Sequence, residues 1–207
     1  MNCNYDKEFE KCIAEIRDRQ QLPTLLLHAC CAPCSSSVLE RVCGDFAVTV
    51  FYFNPNISPK EEYDKRVEEE KKLLSIMNEG DKTPHAIALI EGEYCPERFF
   101  EMARGLEDAS ERGERCLKCY ELRLRETARV AKERGFDYFT TTLTLSPLKD
   151  ANALNTIGFS CSRDYDVPFL PSDFKKKNGY LRSIELSKEY GLYRQDFCGC
   201  VFSKNKK

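Results

Sequence analysis

Seven of the twelve cysteines in this 207-residue sequence fall into three close groups, and they are the residues most capable of chemistry. The spacings are CCxxC, CxxC and CxC, and the members are Cys30, Cys31, Cys34, Cys116, Cys119, Cys198 and Cys200. In an intracellular chain, thiol clusters at such spacings indicate metal binding or redox chemistry. We expect the two later groups to converge on the first.

The first group follows a short apolar stretch that predicts one buried strand over Thr24–His28. A helix is expected from about Ser36 to Val42. The three cysteines therefore stand where a strand ends and a helix begins, which is a usual place for chemistry in open α/β sheets. His28 itself is expected to be a hydrogen-bonded structural residue of the strand.

The second group lies on a predicted helix. Cys116 and Cys119 are three residues apart, so both sulfurs point to one helix face. Together with Cys30 and Cys31 they would offer four thiolates, the number required by a tetrahedral zinc ion or a 4Fe–4S cluster. Cys34 could supply a further ligand, or it could cap the helix that follows it, where the positive helix end lowers a thiol pKa.

The third group, Cys198-Gly-Cys200, is suited to redox chemistry. A disulfide between these cysteines would close a very small ring, with Gly199 allowing the backbone to bend. Such strained disulfides are labile and can store or transfer electrons. Two further metal ligands, or a pair of packed thiols, are the alternatives.

Composition limits the class of protein. Hydrophobic residues make up 42% of the chain and charged residues 32%, which is typical of one folded domain with a solvated surface. The net charge of −2 means that any nucleic acid must bind to a local patch. We find no secretory leader and no apolar run near the ~20 residues of a membrane span, so we expect a cytoplasmic protein without a membrane partner.

Strands and helices alternate along the chain, which predicts a single α/β domain with an open, mainly parallel, Rossmann-like sheet over residues 1–207. A first helix is expected within residues 1–23, a helix interrupted near Gly158 over Ala151–Tyr165, and a basic tail over 204–207. The five predicted strands are Thr24–His28, Ala47–Phe53, Ala86–Ile90, Asp137–Thr144 and Val167–Pro171.

Local basic and aromatic residues could form a patch for tRNA, because neutralising phosphates requires clustered positive charge. Candidate proton donors are Asp173 and Lys149, both in loops that follow strands. The candidate substrate-binding residues are Arg123, Asp173, Lys175, Lys176 and Tyr180.

Several of these motifs resemble one known family. They are His28-Ala-Cys-Cys-Ala-Pro-Cys34, Asn54-Pro-Asn56, Cys116-Leu-Lys-Cys119, Thr140-Thr-Thr-Leu-Thr-Leu-Ser-Pro147 and Tyr193-Arg-Gln-Asp-Phe-Cys-Gly-Cys200. The sequence is similar in these stretches to the QueH-type, cobalamin-independent epoxyqueuosine reductases. The resemblance covers a catalytic region over about residues 24–203.

The resemblance implies a HUP-like fold and reduction of the epoxide of epoxyqueuosine at the tRNA wobble position, the last step of queuosine synthesis. It implies a 4Fe–4S cluster on Cys30, Cys31, Cys116 and Cys119, with Cys198 and Cys200 as the catalytic redox pair. An unidentified electron donor would supply the enzyme with electrons. Seven thiols exceed the four that one cluster needs, so a second, mononuclear iron with Cys34 among its ligands is a further hypothesis.

Two other classes of protein were weighed. A zinc-structured tRNA-binding protein without redox activity could use the same cysteines, although the CxC pair would then lack a purpose. An ATP-dependent base-modifying enzyme of the PP-loop type needs a glycine-rich phosphate loop after the first strand. Cys30-Cys-Ala-Pro33 stands there instead, which counts against direct use of ATP.

Overall fold

A computed structural model of the protein describes residues 3–79 and 83–204. It contains a four-stranded, all-parallel sheet in the order β3-β2-β1-β4, which confirms the predicted α/β, Rossmann-like class. The strands are β1 (Thr24–His28), β2 (Ala47–Tyr52), β3 (Ala88–Glu91) and β4 (Tyr138–Thr141). The helices are α1 (Tyr5–Asp18), α2 (Ala32–Val42), α3 (Lys60–Glu79), α4 (Pro96–Ala103), α5 (Glu114–Arg134), α6 (Ala151–Tyr165), α7 (Gly179–Glu189) and α8 (Val201–Lys204).

The sheet is covered on both faces, so its central strand is apolar throughout. Leu25 and Leu27 of β1 point into one core, with residues of α1, α2 and α3. Leu26 points into the other core, with residues of α5 and α6. This alternation across the strand explains why a continuous apolar run forms a strand rather than part of a helix.

The functional edge of the sheet is set by the position of β1 between β2 and β4. His28, the last residue of β1, lies opposite Phe51 of β2 and Thr141 of β4, so the three strands end at nearly the same level. The chain leaves β1 toward β2 and later returns to its other side as β4. The carboxyl ends of β1 and β4 therefore flank a topological switch point, where open α/β sheets bind ligands.

Two strand predictions are wrong, because one predicted strand does not form and another ends earlier than expected. Val167–Pro171 does not form a fifth strand, because Pro168 and Pro171 lack the N–H that a ladder requires; a single parallel bridge joins Phe139 to Phe169. The predicted strand Asp137–Thr144 ends at Thr141. Its hydroxyl accepts a hydrogen bond from the Leu143 N–H, and the chain turns into a 3₁₀ helix over Thr142–Leu145.

The predicted interruption of α6 is also wrong. The helix is continuous, and Gly158 lies directly against the ring of Phe169. A Cβ atom at Gly158 would approach the Phe169 ring to between 2.4 and 2.6 Å, so glycine is required by close packing and not by a break in the helix.

The helix predicted within residues 1–23 is present as α1. The first helix, α1, buries Phe9, Ile13 and Ile16. Lys206 and Lys207 of the predicted basic tail lie outside the described residues. Among the residues described, none of the helices has the length and apolar character needed to cross a membrane.

Candidate functional site

All three cysteine groups line one cavity of about 350 Å³ at the carboxyl ends of β1, β2 and β4. The convergence expected from the sequence is therefore present, although the groups come from segments far apart in the chain. Each group is carried by a different element: the first by the start of α2, the second by the start of α5, and the third by the segment before α8.

The first group is compact enough to hold one metal ion. The sulfur atoms of Cys30, Cys31 and Cys34 all lie within 4.8 Å of one another, and those of Cys30 and Cys31 are 3.8 Å apart. A tetrahedral ion with metal–sulfur bonds of about 2.3 Å requires sulfur atoms about 3.8 Å apart, so the spacing fits. The chemistry of the donor set, three neighbouring thiols, fits a thiophilic metal.

The early start of α2 brings Cys34 into this group. The helix begins at Ala32 rather than near Ser36, with Cys31 as its N-cap and Pro33 in its first turn. The Cys34 N–H donates to the carbonyl oxygen of Cys31 at 3.0 Å, which turns the chain back over the first two cysteines. Cys30 is held by the 3₁₀ helix that follows β4, since its N–H donates to the Thr142 hydroxyl at 3.1 Å.

The thiols of Cys30, Cys31 and Cys34 differ in pKa. Hydrogen bonds from Cys31 and Cys34 lower the pKa of Cys30 well below its usual value. The same contact with Cys30 raises the pKa of Cys31 to about 12 and raises that of Cys34. Cys30 is thus the preferred thiolate, and a bound metal ion would displace the other two protons.

The second group is held at the start of α5. The Arg112 N–H donates to Cys116 Sγ at 3.3 Å. Cys119 is buried beside Cys200 and Phe99, and burial raises its pKa to about 11, while the charge of Arg123 opposes that shift. The face shared by Cys116 and Cys119 is the one turned to the cavity, as the spacing predicts.

The third group is held by hydrogen bonds from the loop that follows β2. Asn56 Nδ2 donates to the carbonyl oxygen of Cys198 at 3.1 Å, and the Ser58 N–H donates to that of Gly199 at 3.0 Å. A hydrogen bond from Cys200 lowers the pKa of Cys198 well below its usual value and raises that of Cys200. Cys198 is therefore the more nucleophilic thiol of the pair.

Arg123 is buried behind the cysteines rather than presented to solvent. Its Nε donates to His28 Nε2 at 3.2 Å and its Nη2 donates to Asn54 Oδ1. His28 is fully buried, and burial lowers its pKa to about 3, so the ring is neutral; its Nδ1 lies 2.8 Å from the Thr141 hydroxyl and its Nε2 lies 3.1 Å from the Phe53 carbonyl oxygen. Arg123 lines the cavity as a fixed positive charge, and His28 has the structural role expected of it.

The other predicted substrate residues divide into two sets. Tyr180 and the candidate proton donor Lys149 line the cavity. Asp173 is not among the lining residues and is paired with Lys175 at 2.5 Å. Lys176 lies on a separate surface groove.

Sequence reasoning missed two buried arginines of the cavity. Arg66 of α3 is 2% exposed and donates to the carbonyl oxygen of Phe197, and Arg115 of α5 is 1% exposed and donates to three carbonyl oxygens of residues 106–109. Both resemble ordinary helix-surface arginines in the sequence. The one available signal was that Arg115 directly precedes Cys116.

A thiol-lined cavity at the switch point of a parallel sheet, with buried arginines around it, defines an α/β enzyme of the oxidoreductase class. A family model described as "Epoxyqueuosine reductase QueH" matches residues 25–206. The chain belongs to this family.

Curated relatives carry the same description. The chain is 42% identical over 205 residues to the epoxyqueuosine reductase QueH of Staphylococcus epidermidis, which covers 98% of this chain and 85% of that protein. It is 41% identical over 201 residues to that of Streptococcus pyogenes, covering 97% and 78%. The relative from Thermotoga maritima is 35% identical over 183 residues, covering 87% and 90%.

Proposed function

We propose that this protein reduces the epoxide of epoxyqueuosine at the tRNA wobble position and so forms queuosine. The observation that carries the proposal is the convergence of seven thiols from three segments on one cavity, in a chain of the QueH family. A structural zinc site needs only four ligands, whereas an epoxide reduction needs electrons and protons as well.

The Cys198 and Cys200 pair can supply the reaction in balanced form. Two thiols become one disulfide and release two electrons and two protons. The epoxide loses both C–O bonds, the two carbon atoms form a double bond, and the oxygen leaves as water. The lowered pKa of Cys198 makes it the first sulfur to react. The unidentified electron donor must then return two electrons, taken up with two protons, to reduce the disulfide before the next turnover.

The cofactor of the proposal is a 4Fe–4S cluster held by Cys30, Cys31, Cys116 and Cys119. Such a cluster, when bound, would pass electrons singly from the unidentified donor to the redox pair. The fixed charge of Arg123 would offset the negative charge of the thiolates, since it lies against Cys119 and lowers the pKa of both Cys30 and Cys119.

A second metal is proposed because the seven thiols exceed the four ligands that one cluster needs. Cys34 lies within the compact group of Cys30 and Cys31, so it is placed to bind a mononuclear iron beside a cluster. Measuring iron per chain in C34S and C198S tests the idea. Iron that is unchanged in both variants would exclude a second site using either thiol.

Lys149 is the better candidate for the proton donor to the leaving oxygen. It lines the cavity, and its charge lowers the pKa of both Cys30 and Cys198. Asp173 lies outside the cavity and is paired with Lys175. Tyr180 and Arg123 at the cavity would then contact the modified base. Lys175 and Lys176 remain candidates for the phosphates of tRNA, and a cytoplasmic location remains a prediction.

One observation favours a second candidate function. The 3.8 Å separation of the Cys30 and Cys31 sulfurs fits a single tetrahedral ion, as in a zinc-structured tRNA-binding protein. The deciding measurement is iron, acid-labile sulfide and zinc per chain in protein purified without oxygen. About four iron and four sulfide support the reductase with its cluster. One zinc without sulfide supports the alternative.

Activity is tested in the same preparation with tRNA that carries epoxyqueuosine and a chemical reductant. C198S and C200S should each abolish queuosine formation while keeping about four iron and four sulfide per chain, the content of the cluster. C161S is the matched control, because Cys161 is a buried thiol of α6 outside the cavity lining. Full activity in C198S would contradict the role given to the pair.

A further inference from the structure

Asn56 carries a buried hydrogen-bond acceptor that nothing in the described part of the protein satisfies. The residue is 2% exposed and lines the cavity, and its Oδ1 has no partner among the described residues. Leaving such an oxygen buried and unpaired is unfavourable, because folding removes its hydrogen bonds to water and replaces them with none. Unsatisfied polar groups of this kind are expected where a ligand completes the bonding.

The hydrogen bond to Cys198 fixes the orientation of the Asn56 side-chain amide. A backbone carbonyl can only accept a hydrogen bond, so the carbonyl oxygen of Cys198 at 3.1 Å must face the NH₂ group of Asn56. The free group is therefore the oxygen. Asn54 offers a contrast in the same loop, since its Nδ2 donates to the Ala29 carbonyl oxygen and its Oδ1 accepts from Arg123.

The chemistry of the free group selects its partner. A neutral acceptor binds a hydroxyl or N–H donor and offers nothing to an epoxide oxygen or a phosphate, which only accept. The cyclopentane ring of epoxyqueuosine carries hydroxyl groups and an amine beside the epoxide. Cationic donors such as Arg115 and Lys149, which also line the cavity, suit the acceptor groups of the same substrate.

We infer that Asn56 is a specificity-determining residue, whose Oδ1 accepts a hydrogen bond from a hydroxyl or N–H group of the substrate ring. This inference rests on the proposed function and deepens it. Because the same amide holds the backbone of Cys198, one side chain would align the ring with the redox pair. Unmodified guanine at the wobble position lacks the ring and therefore cannot make this bond.

The test compares the binding of two tRNAs, one with epoxyqueuosine and one with guanine at the wobble position. N56A should weaken binding of the first roughly three- to tenfold, the value of one neutral hydrogen bond, and leave the second within about twofold. N56D keeps an acceptor oxygen but turns the bond to Cys198 into a repulsion between two acceptor oxygens, so it should keep the discrimination while slowing reduction. N152A, at an exposed position of α6, is the control and should bind both tRNAs as the wild type does.

Metal content and thermal unfolding, measured on the same variants, show whether the site is intact. An N56A protein that keeps the wild-type ratio of the two affinities, or loses both affinities equally, overturns the inference alone. A wild-type protein that does not reduce epoxyqueuosine defeats the proposed function, and the inference with it.

Discussion

The N–H of Ser58 donates a hydrogen bond to the carbonyl oxygen of Gly199 across 3.0 Å, and so joins the loop after β2 to the CxC segment. Gly199 adopts φ +91°, a conformation that L side chains rarely adopt. A Cβ atom there would lie 2.7 Å from Ile57 Cγ1 and 3.2 Å from Ile57 Cα. The close approach of these two segments therefore depends on glycine.

We expect G199A to move the CxC segment away from the cavity. Both the left-handed backbone and the contact with Ile57 oppose a side chain, so epoxide reduction should fall at least tenfold while α/β secondary structure persists. Reduction assays and circular dichroism measure the two effects. G44A is the control, because a Cβ atom at Gly44 would meet nothing within 4 Å. Equal activity in both variants would show that the position of the segment does not limit the reaction.

Arg123 should contribute more to stability than a neighbouring arginine of the same helix. R123Q leaves His28 Nε2 and Asn54 Oδ1 without their donor, which should lower the free energy of unfolding by about 2–4 kcal/mol. Arg125 makes exposed ion pairs with Glu121 and Asp164, so R125Q should cost less than about 1 kcal/mol. Urea unfolding compares the two. Similar losses in both variants would contradict a structural role for the buried charge.

Glu70 should make stability depend on pH. It is fully buried, and burial raises its pKa to about 8 from 4.5, although a contact with the Ser35 side chain acts in the opposite direction. The folded protein keeps this proton where the unfolded chain has lost it. The contribution of Glu70 to the free energy of unfolding is therefore fully present below pH 4.5 and is lost as the pH rises to about 8.

E70Q should remove the loss of stability between pH 4.5 and 8, because the amide does not ionise. The free energy of unfolding of E70Q minus that of wild type should rise by up to about 1.4 kcal/mol for each pH unit between 4.5 and 8. Urea unfolding at several pH values measures the difference, in which other titrating groups cancel. A difference that does not change with pH would mean that Glu70 is ionised in the folded protein.

Cys198 should be the most readily alkylated thiol of the CxC pair. Its pKa is lowered well below the usual thiol value while that of Cys200 is raised, so Cys198 carries the larger thiolate fraction and should react faster with iodoacetamide. Burial raises the pKa of Cys161 to about 11, which makes this thiol an unreactive internal control. Mass spectrometry of briefly labelled, reduced protein locates the adducts. Preferential labelling of Cys200 would reverse the assignment within the pair.

Local patterns in the sequence determined much of the architecture. The sequence predicts the strand Thr24–His28 with its observed limits, because three consecutive leucines between Thr24 and His28 suit a central strand that is buried on both faces. The start of α3 at Lys60 follows from Pro59 and the acidic first turn. The cysteine spacings likewise identified the residues that line the cavity.

Tertiary structure decided what those patterns could not express. Cys34 joins Cys30 and Cys31 because α2 starts early, and Val167–Pro171 remains outside the sheet because its prolines cannot complete a ladder. Asn56 and the buried Arg66 acquire their roles from contacts with the distant segment 197–198. Periodicity and spacing describe one segment at a time, whereas burial and hydrogen bonding at this site arise only when segments far apart in the chain pack together.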